Sequence, residues 1–381
     1  MVSVRPNPAE AAPAPPAPAE GARPHAKPWP RYERAALGLR NYWYPALPSS
    51  QVRGKPVGFT ILGEELVLVR RDGQVYCLEG RCRHRGVPLA AGRFQFPCTI
   101  SCAYHGWTYD LASGELVAAL TDGPESSIVG KVRLRTYPAQ ERQGIIWVFV
   151  GDDAPPPLEA DVPPEFLDPE STVAVRVKEF PGNWRLAIEG SLDPSHAFFL
   201  HRFAWMNAFS RMPAARTYYE PETIDERYVG YKGNRPLPEA EYPRVGRWPP
   251  RLWWRRFGRT GSTKVIGWLP GAARVEGNLG SQATVYSWYV PVDKDNYRWF
   301  QILWTRSRGL GRVGFWLKYY GWWYWLYQRQ FLGQDAGING LIHPFYAEQD
   351  GWARERLYRP DVVITHWRKF VDQYARGIQE K

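Results

Sequence analysis

Several features are scarce in this chain of 381 residues, and each scarcity excludes a class of protein. Four cysteines are too few for a disulfide scaffold. No apolar run reaches the roughly 20 residues that cross a bilayer, so a transmembrane protein is not expected. No basic segment followed by an apolar one stands at the N-terminus, so we predict a cytoplasmic protein. Lys and Arg form no dense tract of the nucleic-acid-binding kind, so nucleic acid is not an expected partner.

The composition instead indicates a folded protein with a large core and a basic surface. Hydrophobic residues make up 44% of the chain and aromatic residues 15%, and the length fits two domains. The formal net charge of +11 favours an anionic partner. Residues 1–30 hold nine prolines and eight alanines, which predicts a flexible tail outside the fold.

The pattern of strands and turns changes along the chain and predicts two domains after the tail. From 38 to 155, runs of strand length alternate with turn signals such as Arg71-Asp72-Gly73-Gln74. Prolines at 155–157 and 163–164 mark a boundary, and residues 160–381 mix strand and helix periodicities. The main strands and helices expected there are Thr284–Val290, Tyr297–Trp304, Trp184–Leu192, Phe315–Phe331 and Asp361–Arg376. We therefore predict an α+β fold, in which a small all-β domain precedes an α+β domain.

Two short motifs in the first domain combine cysteine with histidine. Cys82-Arg83-His84 is followed, after 17 residues, by Cys102-Ala103-Tyr104-His105. Two thiolates and two imidazoles fit either a tetrahedral zinc ion or a [2Fe–2S] cluster with two cysteines on one iron and two histidines on the other. Cys77 and Cys98 remain, and we predict that both are buried free thiols.

A second constellation in the other domain combines a carboxylate with two histidines. Asp193 is followed by His196 and His201 in the pattern D-x2-H-x4-H. On one straight helix the two histidines would point about 140° apart, but Pro194 disfavours helix at Asp193 and lets them converge. Two histidines and one carboxylate bind non-haem Fe(II) and leave positions open for O₂ and substrate.

The residues around both constellations resemble those of the Rieske non-haem iron ring-hydroxylating oxygenases. The carrying stretches are Cys82-Arg83-His84-Arg85-Gly86, His105-Gly106-Trp107-Thr108-Tyr109-Asp110 and Asn183-Trp184 with its following D-x2-H-x4-H. Further stretches resemble the carbazole dioxygenase branch of this family, namely 38–45, 183–187, 193–196, 288–291 and 345–379. The resemblance implies a Rieske domain followed by a catalytic domain with a curved antiparallel sheet and helices. It is weak between about 205 and 280, so the substrate does not transfer.

The resemblance also implies roles for individual residues. Cys82, His84, Cys102 and His105 would hold the [2Fe–2S] cluster. His196 and His201 would hold a mononuclear Fe(II), with Asp335 as third ligand and Asp350 as the alternative. Asp193 would bridge the centres by accepting hydrogen bonds from His105 and His196, with the nearby cluster in the neighbouring subunit of a homotrimer. Gly190 departs from the family, in which asparagine is common near the iron.

By the same resemblance, the chain would be the terminal oxygenase of a Rieske dioxygenase that hydroxylates an apolar aromatic or heteroaromatic substrate with O₂. An acidic ferredoxin, an NAD(P)H reductase or both would supply electrons. A monooxygenase or demethylase of the same architecture is an alternative, as is a Rieske electron-transfer or redox-sensing protein with a degenerate iron site.

Two further motifs, one rich in glycine and one rich in aromatic residues, follow each other at 309–327. Gly309-Leu310-Gly311-Arg312-Val313-Gly314 matches a dinucleotide-binding pattern, but the preceding run is not a buried parallel strand and Phe315 and Trp316 prevent close packing, so a nucleotide is not expected. Residues 315–327 contain nine aromatics in thirteen positions. We interpret them as a core helix, with a substrate-channel wall or a membrane-surface contact as alternatives.

Overall fold

The computed structural model describes residues 29–193, 196, 200–201, 220–232, 265–275, 284–325 and 332–380. The predicted tail therefore lies outside the described residues, except for Trp29 and Pro30. The aromatic stretch is described up to Trp325.

Short antiparallel strands build the first part of the chain, as predicted. They are β1 (Tyr42–Pro48), β2 (Val57–Ile61), β3 (Glu64–Arg71), β4 (Gln74–Glu79), β5 (Thr99–Ser101), β6 (Trp107–Asp110), β7 (Leu116–Ala119), β8 (Thr136–Tyr137), β9 (Ala139–Arg142) and β10 (Ile145–Val150). They form three sheets, in the orders β1-β10-β9, β2-β3-β4-β8 and β5-β6-β7. Asp72 and Gly73 both have positive φ in the β3–β4 turn, which is the geometry that the Asp-Gly pair predicts for a hairpin.

One seven-stranded antiparallel sheet organises the second part. Its strands are β11 (Ser171–Pro181), β12 (Glu220–Thr223), β13 (Tyr228–Lys232), β14 (Val265–Trp268), β15 (Ala272–Val275), β16 (Thr284–Pro291) and β17 (Asn296–Arg306). Their order is β11-β17-β16-β15-β14-β13-β12. The predicted strands at 284–290 and 297–304 are confirmed as β16 and β17.

The described helices are α1 (Pro30–Arg34), α2 (Trp184–Leu192), α3 (Gly309–Lys318), α4 (Leu332–Glu348), α5 (Gly351–Arg354) and α6 (Val362–Tyr374). Helix α2 has the predicted bounds, because Asn183 caps its start by accepting a hydrogen bond from the Arg185 N–H. The helix predicted from Phe315 begins six residues earlier, at Gly309, and α3 continues into a π-helical turn at Tyr319–Trp323. None of the helices in the described ranges is long and apolar enough to span a membrane.

The two faces of the large sheet carry different partners because side chains alternate along each strand. Trp288 on β16 packs edge-to-face against Trp147 of β10, at 5.6 Å between ring centroids, so one face covers the first part of the chain. On the other face, Tyr297 of β17 accepts a hydrogen bond from Asn339 of α4. Leu303, also on β17, packs there with Phe315 of α3. Helices α3 and α4 therefore lie on the same face of the sheet.

The remaining sequence expectations fare differently. Strand β17 is antiparallel to both of its neighbours, so the glycine motif at 309–314 does not follow a parallel strand, in line with the prediction. Cys77 is a buried free thiol as predicted, but Cys98 is exposed. The prediction for Cys98 was wrong because this residue has a positive φ in the turn before β5, which faces solvent.

Candidate metal centres

Two similar loops present the cysteine–histidine pairs of the first part. Cys82 and His84 follow β4, whereas Cys102 and His105 lie between β5 and β6. In each loop a glycine with positive φ, Gly86 or Gly106, donates its N–H to the carbonyl of the loop's cysteine. Glycine suits this left-handed turn, which folds each histidine back beside its cysteine.

The two loops bring their cysteines together and their histidines together. Cys82 and Cys102 are buried, and the rings of His84 and His105 lie 4.7 Å apart. The His84 ring stacks on Trp107 with an interplanar angle of 9°. The thiols therefore form the inner side of the site and the imidazoles the outer side.

The donor set fits a [2Fe–2S] cluster. His105 Nδ1 is buried, yet it has no hydrogen-bond partner among the described residues. Such an orphaned nitrogen is what a metal ligand leaves when its metal is removed. Burial raises the pKa of Cys82, while a hydrogen bond with Tyr109, whose hydroxyl lies 3.3 Å from Sγ, favours the thiolate. A single zinc would require its ligand atoms to lie close together. Among the described residues, no three of these four donor atoms lie within 4.8 Å of one another.

The second constellation lies where α2 ends. Asp193 caps α2, its N–H bonding the carbonyl of Glu189, and its Oδ2 accepts the backbone N–H of His196 at 3.2 Å. This contact turns the chain out of the helix, so that the rings of His196 and His201 come to 5.2 Å from each other. The predicted convergence of the two histidines is thus present.

Asp335, in the first turn of α4, completes a three-residue group. Its Oδ1 lies 3.6 Å from His196 Nε2 and 3.1 Å from His201 Nε2. One ligand atom from each residue lies within 4.8 Å of the others, and this is the one group of three or more potential ligands among the described residues. Two imidazoles and one carboxylate form the donor set of a mononuclear non-haem iron. Asp350 does not join them: it is exposed, with φ of 55°, at the start of α5.

Different side chains orient the two histidines. His201, which is 3% exposed, has its Nδ1 2.8 Å from Oε1 of Gln334, so the N–H at Nδ1 donates to the amide and Nε2 keeps its lone pair toward Asp335. His196 Nδ1 lies 3.7 Å from Asp193 Oδ2. Burial disfavours the charged imidazole, but Asp193 and Asp335 outweigh it and raise the pKa of His196. Sequence reasoning missed Gln334, although it directly precedes Asp335.

Polar groups from the sheet also approach this site. Ser191, in the last turn of α2, shares a hydrogen bond with Tyr289 of β16. Burial raises the pKa of Tyr289 and, to about 12, that of Tyr297, and the charge of Asp335 adds to both increases. Both phenols thus remain neutral beside the proposed metal ligands.

Asn339 of α4 lies next to Gly190, the position at which the sequence departs from the family pattern. An ideal Cβ on Gly190 would lie 3.7 Å from Asn339 Oδ1. Asn339 is 4% exposed and donates to Tyr297. An asparagine is therefore present beside position 190, supplied by α4 instead of α2.

A buried ionic network fixes α2 behind the site. Arg368 of α6, 1% exposed, makes two hydrogen bonds of 2.8 Å to Glu189 and pairs with Glu355 at 2.5 Å. Tyr32 donates to Glu189 and Tyr346 donates to Glu355. Because Glu189 lies one helical turn before Asp193, this network sets the position from which the site residues emerge.

Among the described residues of one chain, no hydrogen bond joins the two constellations. In the described residues no hydrogen bond joins His105 to Asp193, and the His105 carbonyl accepts one from Thr121. The bridge that the sequence predicts joins Asp193 to His105 of the partner subunit, and it would form only between chains.

Comparisons with known proteins assign both parts. Residues 42–138 match the family model of the Rieske [2Fe-2S] domain, and residues 149–235 and 245–379 match that of the homotrimeric ring hydroxylases. The terminal oxygenase component of carbazole 1,9a-dioxygenase from a Sphingomonas species is 34% identical, with 93% of this chain and 96% of the relative covered.

Solved structures agree with these matches. The terminal oxygenase of carbazole 1,9a-dioxygenase from Nocardioides aromaticivorans IC177 is 31% identical, with a TM-score of 0.80, covering 92% of this chain and 98% of that one. The reduced complex between oxygenase and ferredoxin in carbazole 1,9a-dioxygenase matches with 30% identity and a TM-score of 0.79, covering 92% of this chain and 93% of that one.

Proposed function

The chain belongs to the homotrimeric ring hydroxylases that carry a Rieske [2Fe-2S] domain, and we propose that it acts as the terminal oxygenase component of a dioxygenase. The family, the α+β fold and the iron cofactors predicted from the sequence are confirmed. The individual site residues and the domain limits of 38–155 and 160–381 remain part of the proposal.

The observation that carries the proposal is the convergence of His196, His201 and Asp335 within 4.8 Å. An electron carrier with a degenerate iron site would have no need to keep this donor set together. Because these residues supply only three ligands, an iron held by them would keep positions open for O₂ and substrate. We assign the mononuclear iron to these residues and the cluster to Cys82, His84, Cys102 and His105.

With both groups bound, the cluster supplies single electrons and the mononuclear iron supplies O₂ activation. The protein's own contribution is to hold and orient. Gln334 fixes the tautomer of His201, and Asp193 holds the turn that presents His196.

Asp193 bridges the two centres between subunits in this proposal. Its carboxylate holds His196 from one side and would accept a hydrogen bond from His105 of the partner subunit on the other. Two features support it: no hydrogen bond joins the two residues in the described part of one chain, and the matching family is homotrimeric. A hydrogen-bonded carboxylate between two metal-ligand imidazoles is a short covalent and hydrogen-bonded route for an electron.

The substrate class and the partners follow from the relatives. Because relatives that match over nearly the whole chain act on carbazole, we propose an apolar aromatic or heteroaromatic substrate of similar size. A ferredoxin delivers the electrons, as in the solved oxygenase–ferredoxin complexes, and draws them from an NAD(P)H reductase. The net charge of +11 suits an acidic ferredoxin. None of the four cysteines forms a disulfide, which suits a reducing compartment, so we propose a cytoplasmic location.

Metal analysis and product analysis on the same preparation test the proposal. An oxygenase should contain about three irons per chain, two in the cluster and one at the mononuclear site, whereas an electron carrier would contain about two. With a surrogate ferredoxin and reductase, a panel of aromatic substrates that includes carbazole should give products containing both atoms of ¹⁸O₂. Incorporation of one atom would identify a monooxygenase, and about two irons without product would contradict the proposal.

A further inference from the structure

Helix α3 is apolar on its outer side as well as on the side that packs on the sheet. Phe315, Tyr319 and Trp323 are buried and pack against Val285 and other residues of the large sheet. This inner contact confirms part of the core-helix interpretation. A soluble helix normally has a polar outer face, and a helix that is apolar all round is covered on every side.

The outer side carries a continuous apolar stripe. Its members follow one another at spacings of three and four residues, which keeps them on one side of the helix: Leu310, Val313, Leu317, Tyr320 and Tyr324. Leu310 is 89% exposed, Leu317 71% and Tyr320 70%. Val313, Leu317 and Tyr320 also line a shallow surface groove with Trp316 and Gly321.

The charged residues in the sequence segment that carries the stripe are all basic. Between Asp295 and Asp335 the sequence contains no acidic residue, but it contains six basic ones. Arg298, Arg306 and Arg308 pair with glutamates of β11 or of the segment before it. Arg312 and Lys318, both exposed, lie on α3 itself. The helix thus combines an apolar stripe, rich in aromatic side chains, with flanking positive charge.

We propose that the outer stripe of α3 binds the surface of an anionic lipid bilayer, with the helix lying parallel to the membrane. Leucine and tyrosine side chains insert at the boundary between headgroups and acyl chains, where amphipathic aromatic rings are favoured. Arg312 contacts the lipid phosphates, and the absence of acidic residues from α3 removes repulsion from the anionic headgroups.

The position of α3 suggests that membrane binding serves substrate supply. This step rests on the proposed function. Helix α3 lies on the same face of the sheet as α4, which carries Asp335. An apolar aromatic compound concentrates in the bilayer, so a membrane-bound α3 would bring the proposed iron site next to that supply.

Vesicle flotation of the full-length holoenzyme tests the proposal without any turnover. We expect binding to vesicles of phosphatidylcholine and phosphatidylglycerol, with weaker binding to phosphatidylcholine alone. The double variant Leu317→Glu/Tyr320→Glu should lower the bound fraction about tenfold, because it places two charges at the apolar boundary. Val117→Glu, at an exposed apolar position of β7, is the matched control and should bind like the wild type.

A second variant and a mass measurement make the outcome decisive. Arg312→Glu leaves the stripe intact and should remove the preference for anionic vesicles. Absorption of the cluster reports that each variant is folded and loaded. Wild-type protein that does not float, or a double variant that floats equally well, overturns the proposal. A double variant that falls from trimer to monomer in analytical ultracentrifugation also overturns it, because the stripe is then an interface between copies.

Discussion

Gln334 accepts a hydrogen bond from His201, with 2.8 Å between Oε1 and Nδ1, and it directly precedes Asp335 on α4. One helical turn thus supplies both a proposed iron ligand and the group that orients another. Rotation of α4 would displace both together, so the geometry of the site depends on how α4 is docked.

Replacement of Gln334 by leucine should weaken iron binding and leave the cluster intact. Leucine has a similar size but cannot accept the Nδ1 proton of His201, so the ring loses its fixed tautomer and orientation. Loss of such a hydrogen bond typically lowers metal affinity about 10- to 100-fold. Titration of the iron-depleted variant with Fe(II) measures the affinity directly, without turnover.

Gln349→Leu is the matched control for this change. Gln349 is exposed, follows α4, and lies away from the proposed iron ligands. Its replacement should leave the iron affinity unchanged. If Gln334→Leu binds iron as tightly as the wild type, Gln334 does not orient His201.

Asp193→Asn should retain both iron centres and lose most of the turnover. Asparagine keeps an oxygen that can accept a hydrogen bond from the backbone N–H of His196, so the turn after α2 should persist. It removes the negative charge between the two imidazoles. We expect a fall in turnover of about 10- to 100-fold. Iron content and the electron paramagnetic resonance signal of the cluster measure retention, and rapid-mixing reoxidation of the reduced cluster measures electron transfer.

The same substitution at Asp122, an exposed aspartate, provides the comparison. It should leave electron transfer unaffected. Full activity of Asp193→Asn, or reoxidation of its cluster at the wild-type rate, would refute the role of Asp193 as a bridge.

The sequence predicts those features that depend on residues close together in the chain. Ligand spacing and glycines set the loops around Cys82 and His105, and the Asn183 cap sets the start of α2. Each of these signals lies within a few residues of the feature that it sets. The contact between His201 and Gln334 spans 133 residues. It depends on the strand order of the large sheet, which a single sequence does not encode in any short motif.

The outer face of α3 shows a different limit of sequence reasoning. The nine aromatics at 315–327 predict a helix, but periodicity cannot tell a buried face from an exposed one when both are apolar. Only the packing of Phe315 and Trp323 in the structure shows which side of the helix faces the sheet. The stretch 307–313, in turn, contains two glycines and two arginines, which conceal the start of the helix at Gly309.

Arg368→Leu should destabilise the fold strongly. Arg368 neutralises Glu189 and Glu355, and both carboxylates are 6% exposed. Its loss leaves two buried charges without their main partner, which typically costs about 3–5 kcal/mol of the free energy of unfolding. Urea unfolding followed by tryptophan fluorescence measures this change. Arg142→Leu, on the exposed strand β9, should change it by less than about 0.5 kcal/mol. A similar stability for both variants would show that the network does not hold α2.

Electron transfer from ferredoxin should slow as salt is added. The chain carries a net charge of +11, and the expected ferredoxin is acidic, so attraction between the two accelerates their encounter. At 0.1 M ionic strength the Debye length is about 10 Å, which screens most of the attraction between exposed charges. We expect the second-order rate constant for cluster reduction to fall about tenfold or more from low to high salt, as measured by stopped-flow absorption. Reduction by a small uncharged reductant should change little over the same range, because it experiences no steering. A rate with ferredoxin that is independent of salt, or rises with it, would mean that the basic surface does not form the docking site.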